Sequence, residues 1–327
     1  MMDLSTRYMG LHLRNPLIVS SCGLTNSLEG VRRCADAGAG AVVLKSLFEE
    51  QIGAEIKDLQ RHIWPSWHPE AFDYVERMSL ELGPNEYLKL IEDAKKAVSI
   101  PVIASLNCIS SRQWVDYAKR IESAGADALE LNVAIMPSDP NCSGREIEEI
   151  YFRILEEVKA RLDIPIAVKI GPYFSSMAWM AKELCSHGAS ALVLFNRFYQ
   201  VDIDVDRMEV TAGVRFSSPD EISLPLRWVA LLSDVVRCDL AASTGVHDGT
   251  GAIKLLLAGA DAVQICSTLY INGLERIGLI LRGMEEWMRE HRFKSIGEFK
   301  GKLSRLWADQ PEMYERLQYI KALTGIE

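Results

Sequence analysis

"DAGAGAVVL" (36–44), "SAGADALEL" (123–131), "SHGASALVL" (186–194) and "LAGADAVQI" (257–265) are four copies of one phrase. Each closes a helix-like stretch. The glycine in each copy (Gly38, Gly125, Gly188, Gly259) suits a left-handed helix C-cap. The small residues after it let helix and strand pack closely, and the last few read as a buried strand. A second phrase alternates with the first: "RNPLIVSS" (14–21), "SIPVIASL" (99–106) and "DIPIAVKI" (163–170) are apolar strands opened by proline, and "RCDLAAST" (237–244) fills the fourth slot without it. Helical periodicity separates most of these strands, as in "RQWVDYAKRIESAG" (112–125) and "LPLRWVALLSDVV" (224–236). Eight buried parallel strands alternating with helices predict an α/β fold, a (β/α)8 TIM barrel. The competing open, doubly wound sheet usually begins on a glycine-rich turn. No GxGxxG follows the first strand here.

Outward from the repeat, three strand-to-helix connections are long: 47–84 after strand 2, 134–144 after strand 4 and 197–223 after strand 6. All fall on the C-terminal face, where barrels carry their active sites. A lid role is expected for 47–84, which holds "WPSWHP" (64–69). The 327 residues are expected to form a single barrel domain over 1–327, with 291–327 as a helical C-terminal extension.

The net charge of −9 argues against a broad nucleic-acid footprint, although a local lysine or arginine can still hold an anionic small molecule. Seven scattered cysteines, none in a CxxC pair, suggest free thiols in a reducing compartment rather than a disulfide frame or zinc site. The histidines show no metal-binding spacing. No signal peptide opens the chain, and no apolar run is long enough to span a bilayer. The first apolar strand is expected near Pro16, leaving no room for a membrane-binding N-terminal extension. A cytoplasmic protein is the expectation.

All eight strand ends are polar: Ser20, Ser21 and Cys22; Lys45 and Ser46; Ser105 and Asn107; Asn132; Lys169; Asn196; Thr244 and Gly245; Cys266, Ser267 and Thr268. In many barrels, backbone N–H groups after strands 7 and 8 bind phosphate. Gly245 has a plainer reading as the residue that permits a tight turn. Two lysines ending buried strands need partners, and one of them in an internal ion pair is the structural alternative.

With these residues in view, the chain resembles the dihydroorotate dehydrogenase family, soluble class I type, along residues 4 to 280. The resemblance is carried by "NPLIVSS", "LKS" (44–46), "LELN" (129–132), "AVKIGPYFS" (167–175), "LVLFN" (192–196), "TGVHDGTGAIKLLLAGADAVQI" (244–265) and "CST" (266–268). It implies FMN at the barrel mouth. Carried over by position, it places Ser20 and Ser21 along the isoalloxazine, with Ser46 and Ser105 also on the cofactor side. Lys45 falls where flavin and substrate meet, and Asn132 touches both. Lys169 lies near flavin N1 and O2, favouring the anionic reduced ring. Phe195 contacts flavin through its backbone, Asn196 binds substrate, and Thr244, Gly245, Cys266 and Ser267 hold the phosphate.

The pattern breaks at the base. The family strand ends in ELN-x-S-C-P-N or ELN-x-S-S-P-N, and its Cys or Ser takes the substrate proton; "ELNVAIMP" has Ile135 there, which cannot accept one. Cys142 is the first substitute to consider, with Cys108, Cys22, His68 and His247 behind it. Met136 reads as an apolar pocket wall. Of the family's N-S-M-G-L-P-N substrate loop only Gly83-Pro84-Asn85 is evident, with Ser79 in place of the first Asn. Three readings stay open: an FMN-dependent oxidoreductase of dihydropyrimidine-like or other unsaturated small molecules; a flavin-free lyase or isomerase using Lys45 or Lys169 as a Schiff-base amine; and a non-catalytic flavin-binding protein. A homodimer is expected, and a redox partner subunit stays open.

Overall fold

The computed structural model describes residues 2–52, 83–108, 115–197, 200–213, 216–307 and 314. A hairpin of β1 (Thr6–Tyr8) and β2 (Leu11–Leu13) opens the chain. Then follow β3 (Leu17–Val19), α1 (Leu28–Asp36), β4 (Ala41–Val43), the short β5 (Leu47–Phe48), α2 (Pro84–Ala97), β6 (Val102–Cys108), α3 (Val115–Ser123) and β7 (Ala128–Val133). The second half continues with α4 (Gly144–Lys159), β8 (Ile166–Ile170), α5 (Met177–Ser186), β9 (Ala191–Leu194), β10 (Gln200–Asp204), β11 (Glu209–Gly213), α6 (Ser223–Leu232), β12 (Asp239–Ser243), α7 (Gly249–Ala258), β13 (Ala262–Ile265), α8 (Ser267–Asn272) and α9 (Arg276–Glu290).

Eight strands, β3, β4, β6, β7, β8, β9, β12 and β13, pair in parallel, and β4 meets both β3 and β6, so the sheet closes on itself. This is the (β/α)8 barrel that the repeats predict. The repeat glycines have the left-handed backbone expected of them, with φ of 106° at Gly38, 94° at Gly125, 104° at Gly188 and 114° at Gly259. Only a residue without Cβ adopts this region freely.

Alternation along the strands sorts the core. Ala41, Ala128, Ala167, Ala191, Ala241 and Ala262 belong to one buried cluster with Tyr8, Met9 and Leu13 of the opening hairpin. Small alanines on six strands leave room that the hairpin side chains fill. The hairpin is tied on by Met9 N donating to Asp239 Oδ2 (2.6 Å) and Thr6 Oγ1 donating to the Asp261 carbonyl (3.0 Å). Two strands therefore precede the one expected first, near Pro16. They escape sequence reading because three-residue strands are too short to show a period.

The long connection after β9 contains the β10–β11 hairpin, with Val201, Ile203 and Val210 exposed. The connection after β4 lies largely outside the described residues, including Trp64, Trp67, His68 and Ser79, and so does its expected lid role. Of the extension expected to be helical over 291–327, residues 291–307 form a 3-10 turn at Ile296–Glu298 and further turns, not an α-helix. Gly297 and Gly301 (φ 75°) weaken a helix there, while Phe299 is buried with its ring 5.1 Å from that of Trp287. The expectation of free thiols throughout is corrected at one place: Cys185, ending α5, is bonded to Cys238, just before β12. Their Cα atoms are 5.7 Å apart, a separation sequence cannot reveal across 53 residues. A bonded pair removes part of the support for a reducing compartment.

Candidate functional site

The C-terminal strand ends converge on one mouth. On one side Lys169, at 7% exposure, extends from β8 into the barrel. Its Nζ donates to Ser20 Oγ (3.1 Å) and Gln264 Oε1 (2.9 Å) and lies 3.7 Å from Glu130 Oε1. Ser20 Oγ also donates to Gln264 Oε1 (3.0 Å), and Gln264 Nε2 donates to Glu130 Oε2 (2.5 Å). The buried ammonium is thus balanced by a buried carboxylate and held by neutral oxygens, as a charge in a low-dielectric site requires.

Sequence reasoning missed Glu130 and Gln264. Each lies two residues before a strand-end candidate, Asn132 and Cys266, and so faces the same interior. A polar residue at that parity in an otherwise apolar strand is the signal that could have found them.

Asn132 pairs in register with Asn107 on β6 and Lys169 on β8. Asn196 Nδ2 donates to Asn132 Oδ1 (2.7 Å), and the Asn196 N–H donates to the Ile170 carbonyl (2.8 Å). Phe195, just before it, is buried. Asn132, Lys169, Phe195 and Asn196 therefore form one contiguous wall.

Lys45 begins the opposite side. Its ammonium pKa lies below the ordinary value because burial disfavours the charge, an effect the nearby Cys22 thiol opposes. Next to it, Ser46 Oγ is within hydrogen-bond distance of Ser21 Oγ (2.9 Å) and Ser105 Oγ (2.8 Å). Ser105 has no exposed surface, and its backbone N–H and carbonyl are both engaged by the Tyr87 hydroxyl. It supports Ser46 from below and does not line the mouth.

After β12 the chain makes a left-handed turn at Thr244 (φ 85°) and Gly245 (φ 78°). A Cβ on Gly245 would stand 2.2 Å from the Ile222 backbone nitrogen, so packing alone requires glycine here. Thr244 has no such excuse. A non-glycine residue in this region is uncommon and is found most often where function constrains the chain. Ser217, absent from the sequence reading, crosses over this turn: its N–H donates to Ser267 Oγ (3.0 Å). Ser267 opens α8, and Cys266 is its N-cap.

The loop after β7 is of a different kind. Ile135 lines a small apolar recess with Pro137, Ile147, Tyr151, Tyr173 and Phe174. The Tyr151 hydroxyl donates to the Val133 carbonyl (3.2 Å), and its ring meets Phe174 edge-on at 5.3 Å. Met136, expected as a pocket wall, is 59% exposed. Cys142 directly precedes Ser143, the N-cap of α4, and its Sγ points to the Ser143 carbonyl (3.8 Å). Its thiol pKa is raised, by desolvation and then by Glu146 and Asp139. Cys108 is buried and raised far more. Neither thiol favours the thiolate that would accept a proton.

A family model described as dihydroorotate dehydrogenase matches residues 3–288. The chain is 27% identical over 315 residues to the dihydroorotate dehydrogenase B (NAD(+)) catalytic subunit of Thermoplasma acidophilum, covering 92% of this chain and 99% of that one. It is 31% identical over 273 residues to the subunit of the same name in Methanocella arvoryzae, with 80% and 85% covered. The corresponding figures for that of Pyrococcus furiosus are 27% over 308 residues, with 92% and 98% covered.

Proposed function

The chain belongs to the dihydroorotate dehydrogenase family, a family of oxidoreductases, and from that premise we propose that it is an FMN-dependent enzyme passing hydride between flavin and a small unsaturated, dihydropyrimidine-like substrate other than dihydroorotate itself. The observation that carries this reading is the wall of Asn132, Lys169 and Asn196, hydrogen-bonded or in register at one mouth.

The residues present fit FMN. Lys169 offers a positive charge held by Ser20; Ser21 and Ser46 offer hydroxyls; and the Thr244–Gly245 turn beside Ser267 and Cys266 suits the phosphate end. When bound, FMN supplies a two-electron acceptor at N5. Lys45 and Asn132 border both cofactor and substrate in this reading. Asn196 orients Asn132 and meets the substrate. Ile135 and its apolar neighbours exclude water and give no proton acceptor. The lowered pKa of Lys45 also suits a Schiff-base lyase, but that alternative leaves the family match without a role.

Proton transfer by a positioned group is worth roughly 10²–10⁴ in rate. Purified protein should therefore carry flavin, and anaerobic dihydroorotate should bleach it slowly or not at all. Fast bleaching at neutral pH would overturn the substrate reading, and failure to bind FMN would overturn the cofactor reading.

The electron acceptor we assign to a partner subunit, a proposal supported by the relatives being named catalytic subunits. A homodimer is supported by the exposed apolar face of the β10–β11 hairpin, where Ile203 stands opposite Val210. Sedimentation velocity at micromolar concentration should give twice the mass of one chain, and a monomer throughout would contradict it. No helix among the described residues is long and apolar enough to cross a membrane.

A further inference from the structure

Two cysteines meet at the rim of the mouth. Cys22 follows β3 and caps the 3-10 turn Gly23–Thr25; its carbonyl accepts from Thr25 N (3.1 Å) and Thr25 Oγ1 (3.0 Å), which fixes its backbone. Cys266 follows β13 and caps α8, its carbonyl accepting from Leu269 N (2.9 Å). β3 and β13 are paired neighbours, and Ser20 N donates to the Ile265 carbonyl (3.0 Å), so the two chains leave the barrel side by side. The two thiols lie close enough to act on each other. Tyr270 of α8 adds a hydroxyl to Cys22, and it reaches that position because Gly23 has no side chain: a Cβ there would stand 2.8 Å from the Tyr270 oxygen. Neither cysteine is fully buried.

We propose that Cys22 and Cys266 form a reversible dithiol–disulfide couple at the rim of the barrel mouth, oxidised by low-molecular-weight disulfides. This goes beyond the oxidoreductase reading; because Cys266 borders the phosphate end proposed for FMN, the couple is tested on flavin-free protein as well as on protein as purified.

The roles of the two thiols differ. The hydrogen bond from Cys266 brings the Cys22 pKa down to about 7, against the effect of burial. The same bond, with burial, raises that of Cys266. The other ionisable groups acting on the pair are Tyr270 from α8, Lys45 from the end of β4, Cys34 from α1 and Lys169 from β8. Cys34 by contrast is buried, with its thiol pushed up to about 12. An attacking thiol works best when its pKa lies near the ambient pH, which makes Cys22 the nucleophile.

Its thiolate attacks one sulfur of the disulfide RSSR. A Cys22–S–S–R bond forms, and the departing RS⁻ takes a proton from water. Cys22 then no longer bears a charge for the Cys266 thiol to stabilise, so the Cys266 proton is held less tightly. Cys266 loses it to solvent and attacks Cys22 Sγ, and the second RS⁻ leaves and is protonated. Two thiols have been oxidised and one RSSR reduced to two RSH. The product ties the strand-1 exit to the N-terminus of α8.

The test equilibrates the purified protein with mixtures of reduced and oxidised glutathione, quenches in acid, alkylates and digests. Mass spectrometry should show a Cys22–Cys266 cross-linked peptide, with both alkylation sites lost together at one midpoint and restored by dithiothreitol. Cys266→Ser should trap glutathione on Cys22, and Cys22→Ser should leave Cys266 unmodified. In reduced protein, the Cys22 alkylation rate should be half-maximal near pH 7 and shift to the ordinary thiol range, about 8.5, in Cys266→Ala, which has no donor at that position. Independent alkylation of the two cysteines at every glutathione ratio would overturn the proposal, as would glutathione remaining on Cys22 of the unmodified protein beside a free Cys266. The cross-link is read directly by sequence, so the Cys185–Cys238 bond does not confuse it.

Discussion

Lys169 and Ile135 both stand near the exits of adjacent strands, and the protein surrounds them in opposite ways. Around Lys169, β3, β7, β8 and β13 each contribute one polar side chain: Ser20, Glu130, the lysine itself and Gln264, joined at hydrogen-bond or ion-pair distance. Around Ile135 the neighbours are Pro137, Ile147, Tyr151 and Phe174. A buried charge survives only inside a satisfied network, so the first region tolerates almost no single change. An apolar recess tolerates exchange among residues of similar volume. The Lys169 side of the mouth is thus constrained by its own electrostatics, while the Ile135 loop is free to vary. A family member can accordingly lose its base without losing its barrel.

The largest expected effect comes from breaking the contrast at Ile135. Ile135→Cys places a proton-accepting group at the position where the proposed reading expects the family's base. Dihydroorotate should then reduce the flavin faster, by up to roughly 10²–10⁴-fold, if the loop geometry is family-like. The gain should grow with pH as the new thiol ionises, near 8.5 for an ordinary cysteine. Loss of a partly buried aliphatic side chain should cost only about 1 kcal/mol of stability. The decisive measurement is stopped-flow flavin reduction under anaerobic conditions. An unchanged rate in a folded, flavin-loaded variant would show that the missing base is not what separates this protein from dihydroorotate.

The same contrast explains what sequence could and could not reveal. The eight barrel strands were legible because two phrases alternate and each repeat glycine marks a helix end, as the φ of Gly125 and Gly188 bears out. The strand-end candidates were legible because the last interior-facing residue of a barrel strand must meet the mouth. Glu130 and Gln264 lie outside a pattern of strand-end residues, because period two carries the interior face two residues further back along each strand. Ser217 and the Cys185–Cys238 bond depend on loop paths and long-range approach that no local pattern encodes. The short opening hairpin carries too few residues for alternation to register. Ile135 was visible as a departure, but the aromatic neighbours that make its recess apolar come from α4 and the loop after β8, and only the folded chain brings them there.

A smaller effect tests the polar side of the comparison. In Lys169→Met, Glu130 loses its cation while staying buried, and its Oε1 has no other hydrogen-bond partner among the described residues. Removing one partner of a buried pair typically costs about 3–5 kcal/mol, because the remaining charge is uncompensated. Urea denaturation at neutral pH should show a loss of that order, without a change in its denaturant slope. Adding Glu130→Gln removes the stranded charge. Gln264 Nε2 can still donate to the carbonyl oxygen of the new amide, as it does to Glu130 Oε2. The double variant should therefore be more stable than Lys169→Met alone, and the non-additivity should be large because the residues share one network. If Lys169→Met were to lose less than about 1 kcal/mol, the range of an ordinary surface pair, the lysine would not be held by the buried carboxylate. The contrast with the Ile135 side would then lose its electrostatic basis.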